Sequence, residues 1–331
     1  GERGVIQAGV VVNATGPWTD RLRALEHPGT PPLLRVTKGV HLVVPRTRLG
    51  LHSAVTFASR VDGRVMFALP WGAHAYIGTT DTDSAESPDD VSASGDDLVY
   101  LLRSANAQFP GAHLTFADVR ATWAGLRPLV GGKTRGESAD DVSREHVVSR
   151  GIGGMITVAG GKLTTYRLMA ADAVDRAVKE LRDRGYKQNP SRPPTDMEPL
   201  IGGEVADLAP FRERGLEAGL GPGTVEHLLR HYGTEAAGIY NLGLQDRRLF
   251  RRLHPDHPSV EAEVIHAARR ELAQTVEDVL VRRIHLFYET ADHGVRAAQR
   301  VAELLGRELG WNEERVGAEA AAYDRLVEGS R

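Results

Sequence analysis

The stretch from Ala159 to Arg167 orders its residues in a way that suits an anion or an electron-rich ring edge. An apolar strand pattern runs into Gly160-Gly161, Lys162 follows, and Leu163-Thr164-Thr165 opens a helical pattern. Glycines let backbone N–H groups approach a ligand closely, and a helix N-terminus adds unpaired donors with partial positive charge. An ordinary strand–turn–helix joint with a surface lysine explains the same residues equally well.

Arg127 lies in Trp123-Ala124-Gly125-Leu126-Arg127-Pro128-Leu129, between the end of an apolar strand and a proline. The proline restricts the backbone of the arginine before it. A planar guanidinium matches the oxygens of a phosphate or a carboxylate. Taken alone, the pattern fits a structural ion-pair arginine better than a binding residue.

His41 lies inside an apolar strand pattern, Lys38-Gly39-Val40-His41. A histidine in such a position is more often a core residue, but one that faces a pocket suits general base catalysis. Further along, Ile77–Asp83 clusters hydroxyls and carboxylates around Thr80 at a strand end. That cluster fits either a polyol site or a capped turn, and a metal is a weaker idea because no histidine is nearby.

The elements that must position these residues are strands as far as about residue 170. Apolar and alternating runs bounded by Gly, Pro and Asn predict strands, and a period of 3.6 from Leu98 to Phe109, with Ser94 as N-cap, predicts one helix among them. The predicted strands are Val5–Val12, Val36–Val44, a hairpin of Arg64–Leu69 and Ala75–Gly78, Val119–Leu126 and Met155–Ala159.

Beyond Gly161 the pattern becomes helical. A helix is predicted from Thr165 to about Arg184, then a proline-rich linker, then further helices at Thr224–Tyr232, Val260–Tyr288, Gly294–Leu309 and Asn312–Val327. The sequence therefore predicts an α/β region at 1–188, a linker at 189–203 and an all-helical domain at 204–331.

Composition narrows the function classes. The absence of cysteine from all 331 residues excludes disulfides, thiolate metal sites and thiol catalysis. A net charge of −3 gives no reason to expect nucleic acid as a partner. No apolar run approaches the roughly 20 residues that span a bilayer, which predicts a soluble or peripheral protein.

Five motifs in this order resemble the FAD-dependent, quinone-linked glycerol-3-phosphate dehydrogenases. The resemblance extends into the C-terminal helices at Glu277–Arg283 and Leu309–Trp311, so it covers nearly the whole chain. The motifs are Asn13–Trp18, Lys38–His41, Gly78–Asp81, Gly125–Leu129 and Gly160–Arg167.

The resemblance implies a fold, a cofactor and a reaction. The fold would be part of a glutathione-reductase-like FAD domain with a substrate-binding sheet, followed by an all-helical domain. The reaction would oxidise sn-glycerol 3-phosphate to dihydroxyacetone phosphate, with hydride transfer to FAD and electrons passed to quinone. The resemblance also implies a cytoplasmic enzyme, peripheral on the inner face of the cell membrane, and a homodimer.

The resemblance also implies roles for single residues. His41 would be the base that takes the proton from the C2 hydroxyl. Arg127 and Lys162 would hold the substrate phosphate or lie beside the reacting carbon, and Thr80 is a further substrate contact. The FAD contacts would be Thr15, Gly16, Gly161, Leu163 and Thr164. No metal is expected.

One family feature is missing near the start of the chain: the Gly-x-Gly-x-x-Gly fingerprint for the nucleotide. We therefore expect that the chain begins inside a longer protein. We do not expect this chain alone to bind FAD tightly. Two alternatives remain: an amine-oxidising flavoenzyme of the same fold, and an inactive truncated chain that serves only as a binding module. Paired arginines such as Arg247-Arg248 and Arg282-Arg283 fit either anionic lipid or solvated helix faces.

Overall fold

The computed structural model describes residues 4–131, 145–187 and 193–329. Strands dominate the first part and helices the second. The strands are β1 (Val12–Asn13), β2 (Leu34–Pro45), β3 (Val55–Ala58), β4 (Val65–Trp71), β5 (His74–Gly78), β6 (Thr82–Asp83), β7 (Ala121–Val130), β8 (His146–Arg150) and β9 (Ile156–Gly160).

The helices number twelve in the described ranges, and eight of them follow residue 200. They are α1 (Thr19–Glu26), α2 (Arg46–Leu49), α3 (Gly95–Gln108), α4 (Tyr166–Asp183), α5 (Ala209–Glu217), α6 (Pro222–Tyr232), α7 (Ala236–Gln245), α8 (Glu261–Arg270), α9 (Val276–Leu280), α10 (Leu286–Glu289), α11 (Val295–Leu309) and α12 (Glu313–Gly329).

The larger sheet is built around β2. Its strand order is β3-β4-β5-β2-β6, and β7 also pairs with β2. Both β5 and β7 run antiparallel to β2, and His41 lies opposite Gly78 on one side and Trp123 on the other. Since side chains alternate along a strand, His41 and its two neighbours share one face of the sheet.

The opposite face of this sheet packs on α3. Val40, Leu42 and Ile77 are completely buried there with Leu101 of the helix. The predicted cap is confirmed, since Ser94 Oγ accepts the backbone N–H of Asp97 and the Asp97 carboxylate accepts that of Ser94. A helix that closes one face leaves the other free to carry chemistry.

The smaller sheet has the order β1-β9-β8, with β1 parallel to β9 and β8 antiparallel to it. Because β1 and β9 are parallel, the loops that leave their carboxyl ends emerge at the same edge. Those loops are Ala14–Gly16 and Gly161–Thr165. The strand predicted over Val5–Val12 is wrong apart from its last residue, since Val5 and Ile6 are more than 90% exposed (95% and 91%) and have no ladder partner among the described strands.

The helix predicted over Val260–Tyr288 is wrong as a single element. It is divided into α8, α9 and α10, and the breaks coincide with Leu272 at φ +56° and His285 at φ +64°. A left-handed residue cannot continue a right-handed helix. The other predicted helices lie within a few residues of α3, α4, α6, α11 and α12, whereas α1, α2, α5 and α7 were not predicted.

The helical part has its own apolar cores, one around α8, α9, α11 and α12 and one around α6 and α7. Its helix α10 packs against β7 of the larger sheet. Within the described ranges, no helix is long and apolar enough to cross a bilayer. The predicted division of the chain at 189–203 stays a prediction, and residues 189–192 of that linker lie outside the described ranges.

Candidate active site

His41 is held by packing instead of hydrogen bonds. Its ring stacks on Trp123 with 5.2 Å between centroids and an angle of 24°. It also lies directly over Gly78, where an added Cβ would overlap the imidazole. The buried Nδ1 has no hydrogen-bond partner in the described part of the chain.

The protonation state of His41 follows from that environment. Burial, and then the positive charge of Arg127, lower the pKa of the imidazole from 6.5 to about 4. The ring is therefore neutral at pH 7. A neutral imidazole keeps a lone pair on one nitrogen and can therefore act as a general base.

Arg127 lies on the same sheet face and bends over Gly39, where a Cβ would overlap its guanidinium. Its Nη2 donates to Thr79 Oγ1 at 2.8 Å and to the carbonyl of Thr80 at 3.1 Å. Its Nη1 lies 3.1 Å from Asp81 Oδ1. These bonds fix the fork, because each nitrogen has its own acceptor.

Asp81 joins Arg127 to a second cation. Only 5% of its side chain is exposed, and its other oxygen lies 3.4 Å from Nη1 of Arg64. Both arginines line a cavity of about 430 Å³, a size common for small-ligand sites. The lining itself has two guanidiniums and one carboxylate, an excess of positive charge that favours an anion, although Arg64 also lies 3.7 Å from Asp62 outside the lining. The remaining lining comes from Thr79, Gly63, Val65 and Phe67.

Thr80, the predicted substrate contact, is 4% exposed. Its hydroxyl accepts the backbone N–H of Val40 at 2.9 Å, which ties the loop after β5 to β2. The neighbouring Thr79 and Asp81 line the cavity instead. The structure thus places Thr80 behind the cavity wall, and its contact with substrate stays a prediction.

The predicted FAD contacts lie at the edge where β1 and β9 end. Gly16 has φ +57°, and Gly160 and Gly161 have φ +75° and +77°, a region that side chains disfavour. The turn Leu163–Thr165 leads into α4, so the first N–H groups of that helix point toward this edge. Leu163 is 87% exposed there.

Lys162 is exposed on the same rim. Its backbone carbonyl accepts the Thr165 hydroxyl at 2.9 Å, which shapes the turn. In the described ranges no ion pair or hydrogen bond joins Lys162 to Arg127 or His41. The structure therefore brings His41 and Arg127 together on one face of the larger sheet. It places the predicted FAD contacts at the β1–β9 edge, and Lys162 lies beside them.

Lys38, from the same motif as His41, belongs to the other face of the sheet. Its ammonium donates to Glu86 at 2.9 Å and lies 3.3 Å from Asp97 of α3. The hydrogen bond from Lys38 to Glu86 raises the pKa of the lysine. This side chain anchors the sheet on α3 and takes no part in the candidate site.

Several residues around the site carry no signal in the sequence. Nothing in the sequence distinguishes Arg64 from the other lysines and arginines, 41 in all. Only the register of β4 against β5 brings it close to Asp81. The ring cluster of Trp123, Tyr76 and Tyr288 joins positions far apart in the chain. Strand alternation was the one available clue for Trp123, since it predicts that Trp123 and Arg127 share a face.

Two family models match this chain. The family model of FAD dependent oxidoreductases matches residues 1–167, and that of the C-terminal domain of alpha-glycerophosphate oxidase matches residues 193–316. The Mycobacterium tuberculosis protein named glycerol-3-phosphate dehydrogenase 2 is 38% identical over 325 residues, which is 98% of this chain and 54% of that protein. The Staphylococcus aureus aerobic glycerol-3-phosphate dehydrogenase is 31% identical over 99% of this chain and 58% of its own length.

A solved structure has the same fold. The glycerol-3-phosphate dehydrogenase of Bacillus halodurans, complexed with FAD, aligns with a TM-score of 0.82 at 29% identity, over 98% of this chain and 63% of that one. The chain thus spans a little over half the length of the curated relatives it matches. The predicted family resemblance, fold class and FAD cofactor are confirmed. This chain belongs to the family of FAD-dependent oxidoreductases.

Proposed function

We propose that this chain contributes the substrate site and part of the flavin site of an enzyme that oxidises glycerol 3-phosphate to dihydroxyacetone phosphate. The observation that carries the proposal is that a neutral, half-buried His41 lies near Arg127, which lines a cavity together with Arg64. The first group can accept a proton, and the second can bind a doubly charged phosphate.

The oxidation removes two electrons and two hydrogens from the C2 carbinol. His41 takes the hydroxyl proton on an imidazole nitrogen as the carbon–oxygen double bond forms. FAD, when bound, supplies the acceptor for the hydride that leaves C2. The nearby charge of Arg127 favours the alkoxide-like oxygen that develops during this step.

The chain's residues fit a bound flavin at the β1–β9 edge. Three glycines there have positive φ, and at Gly16 no atom of the described residues lies within 4 Å of an added Cβ, so its backbone is open to a ligand. The helix start after Lys162 adds N–H donors. We propose Thr15, Gly16, Gly161, Leu163 and Thr164 as flavin contacts, and Lys162 as a cation at the rim.

Substrate selectivity of the flavin-loaded protein tests the proposal. We expect turnover with glycerol 3-phosphate, and little with glycerol or sarcosine. We expect Arg127→Gln to raise the KM for glycerol 3-phosphate about 100-fold, with partial rescue in Arg127→Lys, because the charge returns without the fork. The matched control is Arg60→Gln, which changes an exposed arginine in the turn after β3. Turnover of sarcosine but not of glycerol 3-phosphate contradicts the proposal.

We also propose a quinone as electron acceptor, contact with the inner face of the cell membrane, and a homodimer. All three proposals rest on the family resemblance. Most of the paired arginines face carboxylates, as in Arg248–Asp246, Arg269–Glu308 and Arg282–Glu277. Lipid contact would therefore depend on more than these pairs. Three experiments test these proposals separately. Reoxidation of the reduced flavin by a short-chain quinone tests the acceptor, flotation with anionic vesicles tests the membrane contact, and sedimentation tests the homodimer.

A further inference from the structure

The helical part reaches the face of the sheet that carries His41. Tyr288 of α10 sets its ring edge-on against Trp123, with 5.5 Å between centroids and an angle of 81°. The same Trp123 indole stacks on the imidazole of His41. Tyr288 of α10 therefore reaches the imidazole through one intermediate ring, that of Trp123.

A second contact holds the same helix to the same ring cluster. Trp71 Nε1 donates to Glu289 Oε1 at 2.7 Å, and its indole stacks on Tyr76 at 5.1 Å. Tyr76 in turn meets Trp123 edge-on at 4.4 Å. Consecutive residues of α10 therefore fix the cluster at two points, Tyr288 directly on Trp123 and Glu289 through Trp71.

We infer that Tyr288 is a positioning residue for His41, fixing its ring and shielding it from water through Trp123. The catalytic consequence rests on the proposed function, whereas the positioning itself concerns only this chain. Helix α10 then has a role in the site although neither Tyr288 nor Glu289 lines the cavity.

Few other contacts orient the imidazole of His41. Its buried Nδ1 has no hydrogen-bond partner in the described ranges, and Gly78 offers a flat floor without a side chain. Stacking on Trp123 is therefore the main restraint on the ring. Without Tyr288, the Trp123 indole would keep Tyr76 but lose its contact with the helical part, gain rotational freedom and leave a gap for water.

Several charged and titratable groups face this cluster. Arg127 approaches His41 from β7, Tyr76 and His74 belong to β5, and Tyr288 and Glu289 belong to α10. His285, just before α10, lies against Trp71, and His257 lies 3.3 Å from Glu289. Burial is the larger of the two causes that lower the pKa of His41, and Arg127 is the smaller. Removing Tyr288 changes the burial and leaves Arg127 in place, so the pKa should rise.

The test is an NMR titration of the 331-residue chain with ¹³C-labelled histidine, in which the His41 resonance is assigned by its loss in His41→Gln. We expect Tyr288→Ala to raise the pKa of His41 by about one pH unit or more, because water reaches the ring. Tyr288→Phe should leave it unchanged, since the inference requires the ring and not the hydroxyl.

Two comparisons keep the result interpretable. Phe109→Ala removes a half-buried aromatic ring from the apolar cluster at α3, on the opposite face of the sheet, and should leave His41 unchanged. If Tyr288→Ala unfolds the chain, Tyr288→Leu keeps most of the volume without the flat ring. A folded Tyr288→Ala or Tyr288→Leu with an unaltered His41 titration overturns the inference, and so does an equal change in Tyr288→Phe.

Failure of this inference and failure of the proposed function are distinguishable. The titration uses no substrate and no flavin, so an inactive protein can still show the shift. Conversely, suppose that the protein turns over glycerol 3-phosphate while the pKa of His41 does not change in the Tyr288 variants. That result contradicts only the positioning role and leaves the proposed function intact.

Discussion

The two regions where this chain would meet its ligands are built on different principles. Around His41 and Arg127, side chains lie on glycine floors and pack against rings and carboxylates. At the β1–β9 edge, the geometry comes from backbone with positive φ, and the side chains of Lys162 and Leu163 are exposed. Groups that change protonation or charge need a fixed surrounding, whereas a cofactor edge needs accessible backbone. Substitutions around His41 and Arg127 should therefore change activity and stability strongly, whereas those of exposed side chains at the β1–β9 edge should change stability little.

The largest expected effect is at His41. In the flavin-loaded protein, His41→Gln should lower the rate of flavin reduction by glycerol 3-phosphate about 10²–10⁴-fold, because a positioned general base contributes that much. Stopped-flow bleaching of the flavin measures it, and His52→Gln, an exposed histidine, is the control. A rate within threefold of the parent protein would mean that His41 is a core residue after all.

The next effect is on stability in acid. The pKa of His41 is lowered in the folded state, so between pH 6.5 and about 4 the unfolded chain binds more protons. Stability should therefore be full above pH 6.5 and fall as the pH decreases, with His41 responsible for roughly 1–3 kcal/mol.

Urea unfolding at pH 7 and pH 4.5 measures this loss, and it should be smaller in His41→Gln. Burial also lowers the pKa values of His74, His231, His266 and His285, so the whole chain should lose more than His41 accounts for. Equal losses in the parent and in His41→Gln would show that His41 titrates normally.

A smaller effect separates the two glycines that face each other on β2 and β7. A Cβ at Gly39 would lie 2.6 Å from Arg127 Cζ, whereas nothing lies within 4 Å of one at Gly125. Gly39→Ala should displace the guanidinium and cost about 1–2 kcal/mol in the free energy of unfolding. Gly125→Ala should cost less than about 0.5 kcal/mol. Similar losses in both variants would contradict the glycine floor.

The smallest effect is expected at the exposed edge. Lys162→Gln should change the free energy of unfolding by less than about 0.5 kcal/mol, because the side chain is exposed and has no ion-pair partner among the described residues. Thermal unfolding measures it. A larger loss would mean that this edge, like the sheet face, depends on side-chain interactions.

Local signals predicted the elements well. The cap at Ser94 and the apolar period after it lie within one helix, so the sequence predicts α3 without knowledge of its surroundings. The division of Val260–Tyr288 escaped prediction, because Leu272 and His285 adopt left-handed backbone that their residue types do not favour. There the packed core overrides local preference.

The candidate site was predictable only in part. The motifs around His41 and Arg127 pointed to these two residues, which the structure places on one face. The bridge from Arg127 through Asp81 to Arg64 depends on the register of β4 and β5, which no local pattern specifies. The contact of Tyr288 with Trp123 depends on how the helical part docks, so it lay beyond strand and helix patterns.

The bond between Trp71 and Glu289 has a consequence for the order of events during synthesis. The two residues are 218 positions apart. At about 5–20 residues per second, a ribosome needs roughly 10–45 s to travel from one to the other. The larger sheet can form its ladders within that interval, but the aromatic cluster beside His41 stays incomplete until α10 emerges. The sheet is made early, and the environment that tunes its histidine is among the last parts of the chain to mature.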